Sequence, residues 1–451
     1  MRKYFGTDGI RGEANRELTV DMALKLGYAL GYYLKKKNIE EKKIKVILGC
    51  DTRISGYMLR SALLAGLTSM GVDVDFVGVI STPAVAYLTK AKKADAGIMI
   101  SASHNPAKDN GLKVFASNGY KLPDEVEMEI ERLMDDPEIL KDAIAGDKVG
   151  KFRYAEDEYY LYRDHLLSSV NGDFNGIKVV VDTANGSAYR IAKDVFLALG
   201  AEVVLINDAP NGTNINVRCG STHPEILAKV VVGYEADLGL AYDGDADRLI
   251  AVDRNGNIID GDKIIATLAM NMKRKGELDG NKVVTTVMSN MGFENYLKEN
   301  GIELLRASVG DRYVLEKMMQ TGAVIGGEQS GHIIMLRYAT TGDGVLTSLK
   351  LVEALRDEKK YLDEMIVDIK DWPQQLINVR VDNKKKNLWN QNKNITDFIS
   401  LKEEEMKNLG RVLVRTSGTE PLVRVMVEGN DLAMVERVAS EIAKVVEKEL
   451  A

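Results

Sequence analysis

The sequence predicts an α/β protein: three related α/β domains with mixed sheets, followed by a C-terminal α+β domain. Three observations carry that expectation. A strand–helix–glycine–strand unit recurs at 43–79, 176–208 and 281–310. Each unit's first strand is a β-branched run that ends abruptly in a polar turn. Beyond residue 400 the pattern changes to two alternating strands and one long amphipathic helix.

The first helix is marked by Val20, Ala23, Leu24, Leu30 and Leu34 at helical spacing, with Gly27 and Gly31 on the same stripe. Close helix packing is the reading preferred for those glycines over contact with a ligand. The first repeat unit is KIKVILGCDTR (43–53) with GVDVDFVGV (71–79). The second is GIKVVVDTANG (176–186) with GAEVVLIND (200–208), and the third NKVVTTVMSN (281–290) with GIELLRASVG (301–310). Glycine opens each returning strand, where a left-handed residue ends a helix. Such β-α-β units imply parallel or mixed sheets covered by helices. The copies lie too far apart for a solenoid repeat. At the C-terminal end, GRVLVRTSGTEPLVRVMVEG (410–429) reads as two strands around a loop. Val435, Val438, Ile442, Val445 and Val446 then line a helix. The polar, basic stretch 383–393 reads as solvated surface. Domain boundaries are expected at 1–158, 159–258, 259–370 and 371–451.

The bulk numbers set limits on function. A chain of 451 residues, 45% hydrophobic and 28% charged, has the composition of a soluble globular protein. A net charge of −7 argues against wholesale binding to nucleic acid or an anionic membrane, though not against a local basic pocket. Two cysteines, Cys50 and Cys219, cannot build a disulfide framework or a cysteine-based zinc site, which fits a reducing compartment. The opening residues lack the apolar core of a signal peptide, and no apolar run approaches the ~20 residues of a membrane helix. A cytoplasmic protein is expected.

Four motifs sit just past apolar runs, where ligands gather in open α/β sheets. In ISASHNP, Ser103 precedes His104 and Asn105, and Lys113 follows after Gly111. A reactive serine and an ordinary Ser/Asn/Pro turn both explain this stretch. Ser101, nearer the strand, is expected to point into the fold. In AYDGDADRL, Asp243, Asp245 and Asp247 alternate, so an extended backbone would put three carboxylates on one face. Unpaired they would repel, and a hard dication such as Mg²⁺ removes the repulsion. A solvated acidic turn is the plainer alternative. An EF-hand is excluded, because its required Gly and Glu positions are Arg248 and Arg254. In GGEQSGH, Glu328, Gln329, Ser330 and His332 could read sugar hydroxyls, or form a plain loop. In RTSGTEPLVR, Arg415, Ser417, Thr419 and Arg424 surround Gly418 and suit a dianionic phosphate; a hairpin with incidental arginines is the alternative. No Walker A sequence occurs.

With RKYFGTDGIRG (2–12), ISASHNPAKDNGLKVF (100–115), DGDADR (243–248), GGEQSGH (326–332) and RTSGTEPLVRVMVEG (415–429) in this order, the sequence resembles the α-D-phosphohexomutase superfamily over nearly its whole length. The resemblance implies four domains around a central cleft. It assigns the phosphoryl group to Ser103 rather than Ser101. It gives one Mg²⁺ per chain to Asp243, Asp245, Asp247 and the phosphorylated Ser103. The sugar falls to Glu328, Gln329, Ser330 and His332. The non-reacting phosphate falls to Arg415, Ser417, Gly418, Thr419 and Arg424. Ala107 and Lys108 stand where relatives often carry aromatic residues.

The implied activity interconverts glucosamine 6-phosphate and glucosamine 1-phosphate through glucosamine 1,6-bisphosphate, which serves as intermediate or activator. Its product would supply UDP-N-acetylglucosamine and cell-wall synthesis. Gln329, where a methionine would suit other sugars, favours the glucosamine phosphates. An enzyme of the same superfamily acting on glucose or mannose phosphates is the nearest rival. A phosphatase and a silent phosphosugar-binding protein are more distant ones. Arg11 and Arg248 are expected to add positive potential. Lys113, in preference to His104, is expected to shuttle the hydroxyl proton, with a cation-rich surrounding lowering its pKa. The partner is a small phosphosugar, and a homodimer would fit the resemblance.

Overall fold

In the computed structural model, which describes residues 3–38, 42–382, 385–416 and 421–450, each recurring unit forms a parallel strand pair. The first sheet holds β1 (Ile10–Glu13), β2 (Lys45–Cys50), β3 (Asp73–Val79), β4 (Ala96–Ile100), β5 (Asp109–Ala116) and β6 (Phe152–Tyr154), in the order β1-β5-β4-β2-β3-β6. Strands β2, β3, β4 and β6 run parallel, whereas β5 runs antiparallel to both β4 and β1. The sheet is therefore mixed, and its β4–β5 turn carries Ser103. Around it lie α1 (Val20–Lys37), α2 (Gly56–Ser69), α3 (Thr82–Ala91) and α4 (Asp124–Met134). Five of the six residues of β2 are buried, the continuous apolar run required of a strand covered on both faces.

The second sheet follows α5 (Tyr159–Ser168). It contains β7 (Lys178–Asp182), β8 (Glu202–Ile206), β9 (Leu238–Tyr242), β10 (Leu249–Asp253) and β11 (Ile258–Ile259), ordered β11-β10-β9-β7-β8. Helices α6 (Ala188–Ala198) and α7 (Glu225–Gly233) join its strands. After α8 (Gly261–Arg274) comes a third sheet of β12 (Lys282–Thr286), β13 (Glu303–Ala307), β14 (Ile325–Gly327) and β15 (Ile333–Met335), ordered β13-β12-β14-β15. The glycines that open the returning strands do adopt left-handed backbone, with φ of 83° at Gly71, 87° at Gly200 and 65° at Gly301.

Backbone contacts divide the chain into two units. One comprises the residues up to Met288 together with Ile302–Val367; the other is Ser289–Gly301 with Asp368 onward. Helix α9 (Met291–Glu299), although it connects β12 to β13, thus belongs to the second unit. There its first amide, Met291 N–H, donates to the buried Glu428 at 2.9 Å. Helices α10 (Asp311–Thr321), α11 (Gly344–Glu358) and α12 (Leu362–Ile366) belong to the first unit. The second unit is built on β16 (Gln374–Arg380), α13 (Lys393–Glu405), β17 (Gly410–Thr416), β18 (Leu422–Gly429) and α14 (Leu432–Leu450). Its sheet is antiparallel, ordered β16-β18-β17, and α14 buries Val435, Val438, Ile442 and Val446 as the spacing predicts. The 383–393 stretch is not simply solvated surface: Trp389 packs against this unit's core.

Helix α1 is capped by the Thr19 hydroxyl, which accepts from Met22 N–H. Its buried stripe begins at Ala23; Val20, expected on it, is 41% exposed. Gly27 and Gly66 bring α1 and α2 together backbone to backbone. A Cβ at Gly27 would stand 2.7 Å from the Leu63 carbonyl oxygen, and one at Gly66 would stand 2.5 Å from that of Leu24. No helix among the described residues is long and apolar enough to cross a membrane.

Replacing Gly27 by leucine should prise these helices apart, at an overpacking cost of about 1–3 kcal/mol. Urea unfolding checks this, with an unchanged midpoint as the contrary result.

Candidate active site

The β4–β5 turn is held open by a single guanidinium. Ser103 sits at its apex with φ of 53°, a left-handed conformation that costs energy in a residue with a Cβ. Arg53, at the end of CDTR and fully buried, supplies the compensation. Its Nη2 donates to the carbonyl oxygens of Ser103 at 2.9 Å and Asn105 at 2.8 Å, and its Nη1 to that of Asp109 at 3.0 Å. Its Nε pairs with Asp51 at 2.8 Å. Asn216 adds a second donor to the Ser103 carbonyl at 2.8 Å. Ser101 is buried as expected; its hydroxyl donates to Asp51 at 2.6 Å and accepts from Ser103 N–H at 2.9 Å. Neither Arg53 nor Asn216 was singled out from the sequence. The readable signal was a basic residue ending the first repeat's strand, where the loop ligands of an α/β sheet collect.

Facing Ser103 is the aspartate turn between the antiparallel strands β9 and β10. The expectation of an extended backbone is corrected here. Ala246 N–H closes a turn onto Asp243 O at 3.1 Å and is itself left-handed, with φ of 57°. The carboxylates converge because the chain reverses, not because alternate side chains share a strand face. The starts of three helices hold the turn's carbonyls. Ser187, before α6, donates to Gly244 O at 2.8 Å; Thr82, first in α3, to Asp245 O at 2.9 Å; and Gly344, first in α11, to Ala246 O at 3.0 Å. Gly244 must lack a side chain, since its Cβ would meet the Ser103 carbonyl oxygen at 2.6 Å.

The side chains meet across this junction. Ser103 Oγ donates to Asp243 Oδ2 at 2.6 Å, and His104 Nδ1 lies 3.4 Å from the same Oγ. Asp243, Asp245 and Asp247 each present an oxygen within 4.8 Å of the others, and all three residues are buried. One oxygen of Asp245 and one of Asp247 are buried without a hydrogen-bond partner. An all-oxygen cluster with orphaned buried carboxylate atoms fits a hard divalent cation. Burial pushes the Asp243 carboxyl well above the usual range, and the charges of Asp247 and Asp245 add to that. Burial also opposes the charge on Asp245, but the Lys113 ammonium and the Thr82 hydroxyl hold its pKa below the usual value.

Lys113 is fully buried and contacts Asp245 at 2.8 Å, Asp8 at 3.1 Å and Asp247 at 3.3 Å. The expectation that a cation-rich surrounding lowers its pKa is overturned. Burial alone would lower it, but three carboxylates surround the ammonium and raise its pKa well above the ordinary value. His104 behaves oppositely. Burial, with Arg248 and Arg11 nearby, pushes its imidazole down to about 4. Arg11 pairs with Asp8, and Arg248 lies 3.9 Å from Asp247, its backbone N–H donating to Asp243 at 3.2 Å.

The third loop is brought to the same place through a bridge between Arg248 and His332. His332 is buried against Gly342, and its Nε2 stands 4.0 Å from Asp247. Glu328 accepts from Gly310 N–H at 3.0 Å, and the Ser330 hydroxyl reaches Glu328 at 3.4 Å. Gln329 is turned aside, donating to Asp260 at 3.0 Å, so its amide is already engaged at the cap of α8. In the second unit, Arg415 and Arg424 stand directly opposite on β17 and β18. Burial and the charge of Arg424 lower the pKa of Arg415. Like charges so opposed favour an anion between them. Ser417, Gly418 and Thr419 lie outside the described residues.

Family models for phosphoglucomutase/phosphomannomutase match the chain in succession: α/β/α domain I at 2–139, domain II at 161–256, domain III at 260–371 and the C-terminal domain at 376–445. A phosphoglucosamine mutase of Fusobacterium nucleatum is 70% identical over 451 residues, covering both chains fully. One of Clostridioides difficile is 50% identical over 450 residues, again with full coverage of both. Among solved structures, a phosphoglucomutase/phosphomannomutase family protein from Burkholderia thailandensis is similar with a TM-score of 0.82, at 23% identity, over 99% of this chain and 98% of its own. An N-acetylphosphoglucosamine mutase from Aspergillus fumigatus, in complex with GlcNAc-6P and magnesium, is similar at 0.68 and 17% identity, over 100% and 96%. At these identities the solved structures speak for the fold.

Replacing Arg53 by methionine strands the Asp51 charge and frees the 103–109 carbonyls. It should cost about 3–5 kcal/mol in urea unfolding, while Arg53→Lys, which keeps the charge but loses the fork, should cost less. In a Ser103→Ala protein without divalent metal, the His104 ring should titrate near pH 4 by NMR. Because that value lies below the unfolded one, the stability it contributes is present above about pH 6.5 and lost as pH falls towards 4.

Proposed function

The chain belongs to the phosphoglucomutase/phosphomannomutase family, and from that premise we propose how its own residues interconvert glucosamine 6-phosphate and glucosamine 1-phosphate. The observation that carries the reading is the 2.6 Å approach of Ser103 Oγ to Asp243, where a buried aspartate cluster and a left-handed serine meet. Ser103 carries the phosphoryl group and passes it to the free 1-OH or 6-OH of the sugar phosphate. The P–O bond to Ser103 breaks as the bond to the sugar oxygen forms, and glucosamine 1,6-bisphosphate results. After the bisphosphate turns around, Ser103 Oγ takes back the other phosphoryl group.

Asp243, Asp245 and Asp247 would hold Mg²⁺. A bound ion there neutralises charge on the phosphoryl oxygens, which a phosphoserine of about −1.5 to −2 charge beside three carboxylates requires. Arg11, Arg248 and Lys113 supply further positive charge. Lys113, held as an ammonium by three carboxylates, acts chiefly through its charge, and His104 Nδ1, 3.4 Å from Ser103 Oγ, is the group within reach of the reacting proton. Glu328, Ser330 and His332 read the sugar, with Gln329 setting the position of the loop through Asp260. The Arg415–Arg424 pair, with Ser417, Gly418 and Thr419, holds the phosphate that does not react. Four domains divided at 1–158, 159–258, 259–370 and 371–451 belong to the same proposal. Two free, buried cysteines fit a cytoplasmic setting.

The test is a coupled assay comparing glucosamine, glucose and mannose phosphates, run before and after chelation. Glucosamine phosphate should be the best substrate, with activity lost to chelation and restored by Mg²⁺. Full activity without divalent metal would sink the reading. Peptide mapping should find phosphate on Ser103, and Ser103→Ala should lower kcat by at least about a thousandfold. Phosphate on Ser101 instead would reassign the nucleophile.

A further inference from the structure

Behind the Ser103–Asp243 contact lies a closed ring of charged and polar groups, in which Lys113, Asp247 and His332 have a place in the proposed chemistry and Asp8, Lys121 and Asp311 have none. Lys113 contacts Asp8 at 3.1 Å. Asp8 pairs through its other oxygen with Lys121, and Lys121 pairs with Asp311. Asp311 lies 3.6 Å from His332 Nε2, His332 lies 4.0 Å from Asp247, and Asp247 returns to Lys113 at 3.3 Å. The ring draws on all three sheets of the first unit. Asp8, Lys113 and Lys121 come from the first, Asp247 from the second, Asp311 and His332 from the third.

Lys121 is its hinge. It follows β5, is 15% exposed, and its ammonium is shared between a carboxylate beside β1 and the first residue of α10. Both partners are half-buried, with side chains 22% and 17% exposed, so water compensates them only in part. The start of α10 matters because Gly310 N–H, just before it, donates to Glu328 at 3.0 Å. Position is therefore transmitted from the Asp8–Arg11 loop, through Lys121 and Asp311, to the loop of Glu328 and His332. Other contacts close the same seam: Arg312 pairs with Asp124 in α4, and the Thr340 hydroxyl donates to Gly119 O at 2.6 Å. Lys121 joins the seam to Asp8 and so to Lys113, while His332 joins it to Asp247 from the other side.

We infer that Lys121 is a positioning residue for the reaction: by tying Asp8 to Asp311 it sets the sugar-reading loop in register with the serine and aspartate turns. The inference rests on the mutase reading and deepens it. Lys121 touches neither the aspartate triad nor Ser103; it acts through Asp8 and Asp311. Its loss leaves two half-buried carboxylates with one shared cation fewer beside a site that takes doubly phosphorylated sugar, so substrate binding suffers before chemistry does.

The experiment is steady-state kinetics of the full chain with Mg²⁺ and glucosamine 6-phosphate, for the unsubstituted protein, Lys121→Met, Lys121→Arg, Asp311→Asn and the double variant Lys121→Met/Asp311→Asn. Urea unfolding accompanies each. Lys121→Met should raise KM about tenfold, with kcat changed by no more than about threefold. Lys121→Arg, which keeps a charge able to reach both carboxylates, should stay close to the unsubstituted protein. The double variant should recover part of the loss, because no carboxylate is then left at 311 without its ammonium. An unchanged KM in Lys121→Met, or a loss confined to kcat, overturns the inference whether or not the unfolding midpoint falls. Should Lys121→Met fail to fold, Asp311→Asn decides: a raised KM supports the inference and an unchanged one overturns it. Absence of mutase activity in the unsubstituted protein would overturn the underlying reading, and the inference with it.

Discussion

Three carboxylates on one buried turn repel one another, and the surrounding structure answers that repulsion. Burial in a low-dielectric interior makes the problem worse, because unpaired charge there is far more costly than in water. The fold responds in two ways. It aims the starts of α3, α6 and α11 at the carbonyls of 244–246, so that aligned peptide dipoles place positive potential around the turn. It also threads the Lys113 ammonium between Asp245, Asp247 and Asp8. The remaining orphaned oxygens on Asp245 and Asp247 mark what protein groups alone leave unanswered. A hard cation is the natural complement, and the same excess of negative charge gives the cation its affinity.

Geometry follows from the same constraint. Bringing Ser103 within 2.6 Å of Asp243 needs two reversing turns to meet tip to tip. Each tip carries a left-handed residue that is not glycine, Ser103 on one side and Ala246 on the other. Strain of this kind persists only where the surroundings over-determine it. Arg53 and Asn216 do so for the serine turn, and the three helix starts do so for the aspartate turn. The missing Cβ of Gly244 then permits the two backbones to approach.

Much of this could be read from the residues. The repeated β-branched runs and their glycine caps located all three parallel strand pairs, because a buried parallel strand must be apolar throughout and a helix end favours left-handed glycine. The acidic triplet and the serine before His-Asn-Pro were legible as dense local chemistry. What escaped was long-range. Arg53 lies 50 positions from the carbonyl of Ser103, and its place at a strand end marks a loop position without naming the distant carbonyls it would grip. The protonation preference of Lys113 was misjudged for the same reason. Its nearest sequence neighbours are neutral, whereas its spatial neighbours Asp8, Asp245 and Asp247 come from two other segments. Helix α9 shows the limit for fold organisation, since a connection between adjacent strands of one sheet packs in the other unit.

The Arg53 clamp has a consequence for how the serine loop can vary. In the 103–109 segment its guanidinium contacts main-chain carbonyl oxygens and no side chain. A template that grips only the peptide backbone is indifferent to what the intervening residues carry. Positions such as Ala107 and Lys108 can therefore drift between small, charged and aromatic types without altering the loop's path. The apex that presents the hydroxyl is thereby insulated from the diversification of its own flanks.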